Sequence, residues 1–264
     1  MCMTSSTIPS PNTSETVQEP VSQQPANSPK IVRKGEYARN GDFHKNLDPN
    51  WSYYPIYINK QEVIDELLHD YQAHAGKIVD AGCGEGVVVE RYHKQGWDIS
   101  GFDMNYASEL VTEGSLLAIP HADNSVDTLL CLDVMEHLLY PDQNKALAEI
   151  TRVLKPGGVA IFSVPNLAHF TARLKMLFRG RLLRTASIGH HPGDRPALEY
   201  QQLFEAAGFS IEKTLGIFPT IPPIYRFVMK NPGKSVELLR TLRKLPLPPY
   251  VHFQVLFACR LNAV

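Results

Sequence analysis

No run of apolar residues in this chain is long enough to cross a bilayer, so no membrane-spanning helix is expected. The opening residues have no basic flank leading into an apolar core, so no secretory leader is expected either. Cysteine is sparse. Cys2, Cys83, Cys131 and Cys259 stand far apart without a C-x-x-C pair, which argues against a disulfide framework or a thiolate zinc site. Reduced thiols in a cytoplasmic protein fit that usage. Large apolar side chains are almost missing from residues 1–30, which are Ser, Thr, Pro, Gln and Asn for the most part. Such a segment cannot bury enough surface to offset its ordering entropy, and a disordered tail is expected there. An excess of either charge is missing too, with 26 Lys+Arg against 27 Asp+Glu. That balance hides an asymmetry: residues 167–264 carry 14 Lys+Arg against 5 Asp+Glu, leaving 12 against 22 for residues 1–166. A basic last third suits an anionic partner, whether a phosphate-bearing substrate, an acidic lipid surface or RNA, or it is simply a solvated face.

What is present is room for one α/β domain with a tail and an insertion, in 264 residues that are 44% hydrophobic. The chain is organised around Lys77–Glu90, KIVDAGCGEGVVVE. A short apolar run ends in Asp80, three alternate glycines follow (Gly82, Gly84, Gly86), and an apolar-rich segment begins. That order reads as strand, tight turn and helix, with the helix N–H groups aimed back at the turn. A second strand ends in Asp103, where a carboxylate can accept both hydroxyls of a ribose. The turn therefore points to an adenosine-type ligand.

Helical periodicity covers Lys60–Tyr71, within an N-terminal cap segment spanning 31–76. The core is expected over 77–216, with strands at Lys77–Asp80, Asp98–Asp103, Val126–Leu132 and Ala160–Val164 and helices at Val87–Gln95 and Gln143–Leu154. KPGG (Lys155–Gly158) is expected to break the chain sharply before the last of these strands. Residues 217–250 form a Pro-rich insertion, expected to cap a substrate, and 251–264 return as the final core strand.

Taken in order, VDAGCGEG, the acidic end of the second strand, SVDTLLCLDVMEHL and EITRVLKPGGVAIFSVPN resemble the class I, type 11 group of S-adenosylmethionine (SAM)-dependent methyltransferases. Within that group the chain is similar to the ubiquinone-pathway O-methyltransferases, over roughly residues 63–209. The resemblance implies a Rossmann-like α/β fold: a seven-stranded, mostly parallel sheet with helices on both faces. Its last two strands form an antiparallel pair, here Phe209–Leu215 and His252–Leu261. It implies that Asp80, Gly82, Cys83 and Gly84 hold the amino-acid end of SAM, that Asp103 takes the ribose hydroxyls, and that Met104 lies against the adenine. Ser115 and Leu116 stand where the family has an Asp plus an apolar residue, so Ser115 is a departure that weakens the hydrogen bond to the adenine amine. Asp133, at the tip of the central strand, borders the sulfonium and the substrate.

The sharpest local signal is Asp133-Val-Met-Glu136-His137, whose acid, acid and imidazole share one face if a helix starts at the strand tip. With the later His191, the pattern is similar to the E-x-x-E-H metal site of the ubiquinone-pathway and small-RNA 3′-end methyltransferases. It implies a divalent metal on Asp133, Glu136, His137 and His191. Two metal-free readings stand beside it: His137 as general base with Glu136 capping helix N–H groups, or a packed structural role for both. Tyr53 and Tyr54 are candidates to cap the ligand, and Asn166 and His169 to shape the substrate pocket. Phe170–Thr185 reads as a basic amphipathic helix over the mouth, suited either to a membrane surface or to service as a lid. No N-P-P-Y type motif follows the central strand, which argues against amide or base nitrogen as acceptor. The expected activity is SAM-dependent methylation of oxygen on a small or lipid-like acceptor, anionic or isoprenoid-tailed. Its alternatives are an RNA methyltransferase using the basic C-terminal face, although no nucleic-acid-binding module is apparent, and an inactive SAM-binding scaffold.

Overall fold

The computed structural model describes residues 31–35 and 37–263, so the tail expected over 1–30 lies outside the described residues. From the N-terminal side, β1 (Val32–Arg33) and α1 (Tyr37–Asn40) lead to the long α2 (Tyr54–Asp70). The core then alternates: β2 (Ile78–Ala81), α3 (Val87–His93), β3 (Ile99–Asp103), the short β4 (Tyr106–Ala107) and β5 (Val111–Glu113), and β6 (Val126–Leu132). After it come α4 (Tyr140–Val153), β7 (Leu154–Pro165), α5 (Phe170–Arg179), α6 (Ala197–Ala206) and β8 (Phe209–Gly216). Two helices, α7 (Pro222–Lys230) and α8 (Val236–Leu242), precede the closing strand β9 (Gln254–Leu261).

Seven strands form one sheet in the order β5-β3-β2-β6-β7-β9-β8. The strands from β5 to β7 pair in parallel, and β9 runs antiparallel to both β7 and β8. This is the Rossmann-like arrangement that the sequence implied. Near-continuous apolar runs make the central strands because both faces of a parallel sheet are covered. Side chains alternate between the two layers with period 2. Leu129, Cys131, Ala160 and Phe162 face the cluster with Ile150, Tyr200 and Phe204, while Leu130 and Ile161 face the one with Ile64, Leu67 and Tyr92.

Three local expectations differ from the structure. Helix α2 starts at Tyr54 rather than Lys60, with Pro55 in its first turn, where a missing N–H costs nothing. Lys155–Gly158 does not interrupt the chain: β7 runs through it as a twelve-residue strand, with a register shift between Val126 and Thr128 on the neighbouring strand. The basic segment after β7 is helical only to Arg179.

The 217–250 segment packs onto α2. Phe218, Val228 and Leu239 join the buried cluster on that face, and Arg240 Nε donates to Glu62 Oε2 at 3.0 Å. It thereby forms one wall beside the C-terminal ends of the strands.

At Gly101 in β3, an added Cβ would lie 2.5 Å from Cys83 Sγ and 2.9 Å from Val89 Cγ2, so strand and glycine turn meet there without a side chain between them. Gly101→Ala is expected to destabilise the fold by about 1–3 kcal/mol. A urea unfolding midpoint indistinguishable from wild type would show that this contact relaxes freely.

Candidate active site

The glycine turn and Asp103 meet at the C-terminal ends of β2 and β3. Gly84 N donates to Asp103 Oδ2 at 3.0 Å, and Asn105 N to Asp103 Oδ1 at 2.8 Å, so the carboxylate is fixed in plane. Gly82 has φ +73°, and a Cβ on it would stand 2.7 Å from Val134 Cγ2. Both constraints demand glycine. Two cavities flank the turn. One, about 240 Å³, is lined by Asp80, Gly82, Cys83, Gly84, Asp133, Lys60, His137 and residues of the N-terminal arm. The other, about 500 Å³, is lined by Asp103, Met104, Ser115, Leu116, Asp133 and His137. Leu116 is buried, whereas Met104 is 62% exposed at the rim. Ser115 Oγ accepts from Leu117 N at 3.2 Å. The arm reaches the turn through a reciprocal pair: Asp42 Oδ2 accepts from Glu85 N at 3.1 Å, and Glu85 Oε1 accepts from Asp42 N at 3.2 Å. Asp42 and His44 thereby close one side of the smaller cavity.

Burial, and then the charge of Asp103, push the Asp80 carboxyl up to about 7, with Lys60 opposing the rise. Burial also pushes the Cys83 thiol up, so it stays protonated.

Asp133 does not share a helical face with Glu136 and His137. The chain after β6 makes only a single 3-10 turn (Met135–His137), and Asp133 itself has φ +57°. Its carboxylate turns instead toward α2 and β9. Lys60 Nζ pairs with Oδ2, Ser163 Oγ donates to Oδ1 at 2.6 Å, and Gln254 Nε2 donates to Oδ1 at 2.5 Å. Burial raises its pKa, but Lys60 and these donors outweigh burial and hold it below the ordinary carboxylate value.

Glu136, His137 and His191 do converge, with their ligand atoms within 4.8 Å of one another. Glu136 Oε2 is buried without a hydrogen-bond partner, and burial together with the Asp133 charge pushes its carboxyl well above the usual range. His137 Nδ1 contacts the His190 carbonyl at 2.8 Å, and His191 Nδ1 lies 3.0 Å from Thr185 Oγ1 and 3.3 Å from Asp194 Oδ1. Each ring thus has its Nδ1 engaged, leaving Nε2 as the atom to offer a lone pair. Burial and the neighbouring His191 lower the His137 pKa, keeping the imidazole neutral. The loop bearing His191 is stapled to the turn bearing Glu136: Gly193 N donates to Glu136 O at 3.0 Å, and Gln143 Nε2 donates to both Met135 O and Gly193 O at 2.8 Å. One carboxylate with two imidazoles fits a divalent cation of the Mn²⁺, Fe²⁺ or Zn²⁺ type better than Mg²⁺.

A third cavity, about 290 Å³, lies beyond Tyr53. It is lined by Tyr53, Ile56, His169, Arg184, Thr185, Phe218, Tyr225, Met229 and Phe253, among others. Tyr53 OH donates to Gln254 Oε1 at 2.8 Å and reaches Asp133 Oδ2 at 3.4 Å, so this residue links the wall of the third cavity to the Asp133 shared by the other two. His169 caps α5, contacts Thr220 Oγ1 through Nδ1 at 2.8 Å, and is pushed down to about 4 by burial and Lys175. It is a neutral wall. Asn166 is not a pocket residue: its Nδ2 donates to Tyr250 O and His252 O, and its Oδ1 accepts from Ala168 N and Ala197 N. Tyr54 lies on the first turn of α2 and lines none of these three cavities.

Lys60, Ser163, Gln254, Asp42, His44 and Thr185 were absent from the sequence-based candidates. Only Lys60 carried a readable signal: it sits in register with Ile56 and Ile64 on the buried stripe of α2, where a lone charge needs a partner.

The methyltransferase domain family model matches residues 57–214. A probable S-adenosylmethionine-dependent methyltransferase of Mycolicibacterium smegmatis is 33% identical over 166 residues, covering 58% of this chain and 60% of that protein. A ubiquinone biosynthesis O-methyltransferase of Methylococcus capsulatus is 32% identical over 139 residues, 46% of this chain and 58% of that protein. The chain thus spans about three fifths of the length of these two relatives. Among solved structures, the 1,6-didemethyltoxoflavin-N1-methyltransferase of Burkholderia thailandensis, with S-adenosylhomocysteine bound, shares the fold at a TM-score of 0.51 and 14% identity, over 86% of this chain and 84% of that one. The chain belongs to the methyltransferase domain family, and it shares its fold with that solved methyltransferase.

The Asp80 pKa sets a pH dependence. Its folded value of about 7 lies above the ordinary 3.8, so the ligand-free fold holds a proton that the unfolded chain releases. That stabilising contribution is complete below about pH 4 and is lost as pH rises through 7. A cationic ammonium beside Asp80 favours the ionised form instead, against the neighbouring Asp103 charge and with Lys60 and the protonated Tyr57 and Cys83 nearby. SAM affinity is therefore expected to rise between pH 6 and 8, roughly tenfold per unit below the Asp80 pKa. Calorimetry in buffers of different ionisation enthalpy should detect proton release on binding, and Asp80→Asn should abolish it. Proton release unchanged in that variant would remove Asp80 from the ammonium site.

Proposed function

We propose that this chain transfers the methyl group of SAM to an oxygen of a small or lipid-like acceptor, beside a divalent cation held by Glu136, His137 and His191. The observation that carries this reading is the buried, unpartnered Glu136 Oε2 between two imidazoles whose Nδ1 atoms are already engaged. A buried acceptor left alone costs roughly 1–3 kcal/mol, and a cation at that point removes the cost. Held by Glu136, His137 and His191, such a cation would supply Lewis acidity that lowers the pKa of the acceptor's hydroxyl.

This chain's own residues do the rest. Asp103 and the glycine turn hold the ribose, while Asp80 and the adjoining N–H groups hold the amino-acid end. Asp133 keeps its negative charge near the sulfonium because Lys60, Ser163 and Gln254 fix it, so binding energy goes into alignment for an in-line displacement. Tyr53 separates cofactor from acceptor and bounds the space in which the acceptor oxygen sits. The lipid-like part of the reading rests on the apolar third cavity and on α5. There Met176, Leu177 and Phe178 are 53%, 75% and 76% exposed beside Lys175 and Arg179, a pairing suited to the surface of an anionic bilayer. A metal-free reading, with neutral His137 as general base, draws on its lowered pKa.

The two are separated by Mn²⁺ binding, followed by electron paramagnetic resonance. Glu136→Gln and His191→Ala are each expected to weaken Mn²⁺ binding at least tenfold, with calorimetric affinity for S-adenosylhomocysteine kept within twofold. If Mn²⁺ binds the variants as it binds wild type, the cation site is wrong and the metal-free reading stands.

A further inference from the structure

The third cavity is apolar and aromatic except at one end. Arg184 is the only charged side chain that lines it among the described residues, since His169 is held neutral. Among the described residues no carboxylate lies within ion-pair distance of Arg184, and its guanidinium makes a single long hydrogen bond, from Nη2 to the His191 carbonyl at 3.4 Å. Its Nε is buried and has no acceptor at all. A guanidinium presents five donors in a fixed fork. One on a cavity wall with no carboxylate partner and an unanswered donor is short of acceptors, and a bidentate anion supplies them. The same residue opens outward. Arg184 and Leu183 also line a neighbouring groove of about 390 Å³, whose other walls include Lys175, Arg179 and Arg181.

We propose that Arg184 recognises an anionic group, carboxylate or phosphate, on an acceptor whose apolar body fills the third cavity between Tyr53, Phe218, Tyr225 and Phe253. The assignment rests on the methyltransferase reading and specifies its acceptor: an amphiphilic anion rather than an amine or a neutral polyol. The cavity is near the lower end of the usual range for small-molecule sites, which suits a ring or short chain with a larger remainder emerging along the groove. The neighbouring residue, Thr185, holds His191 through Oγ1 at 3.0 Å and Asp194 Oδ2 at 2.6 Å. Two consecutive residues therefore serve the anion and the histidine of the proposed cation site, so an acceptor seated on Arg184 is placed relative to that site by one peptide unit.

The test uses full-length protein saturated with S-adenosylhomocysteine and three probes with the same apolar body: naphthoate, naphthyl phosphate and naphthamide. Ligand-observed NMR titration should show the anions binding at least tenfold more tightly than the neutral amide. Arg184→Gln should reduce that preference to less than threefold, and Arg184→Lys should retain part of it, while affinity for S-adenosylhomocysteine stays unchanged in both. Naphthyl phosphate binding more tightly than naphthoate would assign the group to a phosphate that also reaches the cations of the outer groove; equal or reversed order would assign it to a carboxylate. Protein that binds S-adenosylhomocysteine yet treats all three probes alike, or an Arg184→Gln variant with the preference intact, overturns the Arg184 assignment. Failure to bind S-adenosylhomocysteine would instead overturn the reading beneath it.

Discussion

The Lys60–Asp133 ion pair fixes the geometry on which the site depends. It joins α2, which lines the cavity at the glycine turn, to the tip of the central strand, and each partner would be costly alone. The Lys60 side chain is 4% exposed, so without Asp133 it would be a buried charge with no counterion. Asp133 in turn occupies a left-handed conformation that a non-glycine residue adopts at a cost of roughly 1–2 kcal/mol. Its backbone N–H bond to Ser163 O and its side-chain bonds to Ser163 and Gln254 offset that cost. Through Gln254 the same cluster positions Tyr53 on the wall of the third cavity. Three distant segments, α2, β7 and β9, are thereby fixed around one carboxylate.

Two acids three residues apart are driven in opposite directions. Asp133 is held ionised by Lys60, whereas Glu136 is buried beside that negative charge and favours its proton. Separation of this kind lets neighbouring carboxyl groups take different roles at one pH. Asp133 is thereby a fixed charge, and in the proposed reading Glu136 is the group that would accept a cation in place of its proton.

The fold was legible because its signals are local. Val126–Leu132 and the run around Ile161 are apolar throughout, as doubly covered strands must be, and the glycine turn with Asp103 specifies its own conformation. Part of the site was legible for the same reason: Glu136, His137 and His191 were named from spacing and resemblance, and the structure brings them together. Asp133 was misplaced because a helix was assumed where the chain makes one 3-10 turn, and nothing in D-V-M-E-H specifies the positive φ. Asn166 was misread because its four backbone partners come from residues 168, 197, 250 and 252, none visible as a pattern. Lys60 alone left a trace, a charge on an apolar stripe. Its partner, 73 residues away, did not.

The Asp42–Glu85 clasp has a kinetic consequence. It borders the cavity at the glycine turn from the side of the N-terminal arm, while the third cavity is walled by α7 and the loop after α5. The two doorways belong to different parts of the chain. If the two cavities hold cofactor and acceptor as proposed, neither ligand has to pass the other's walls to leave, and product-inhibition patterns would then display mutually non-obligatory exits.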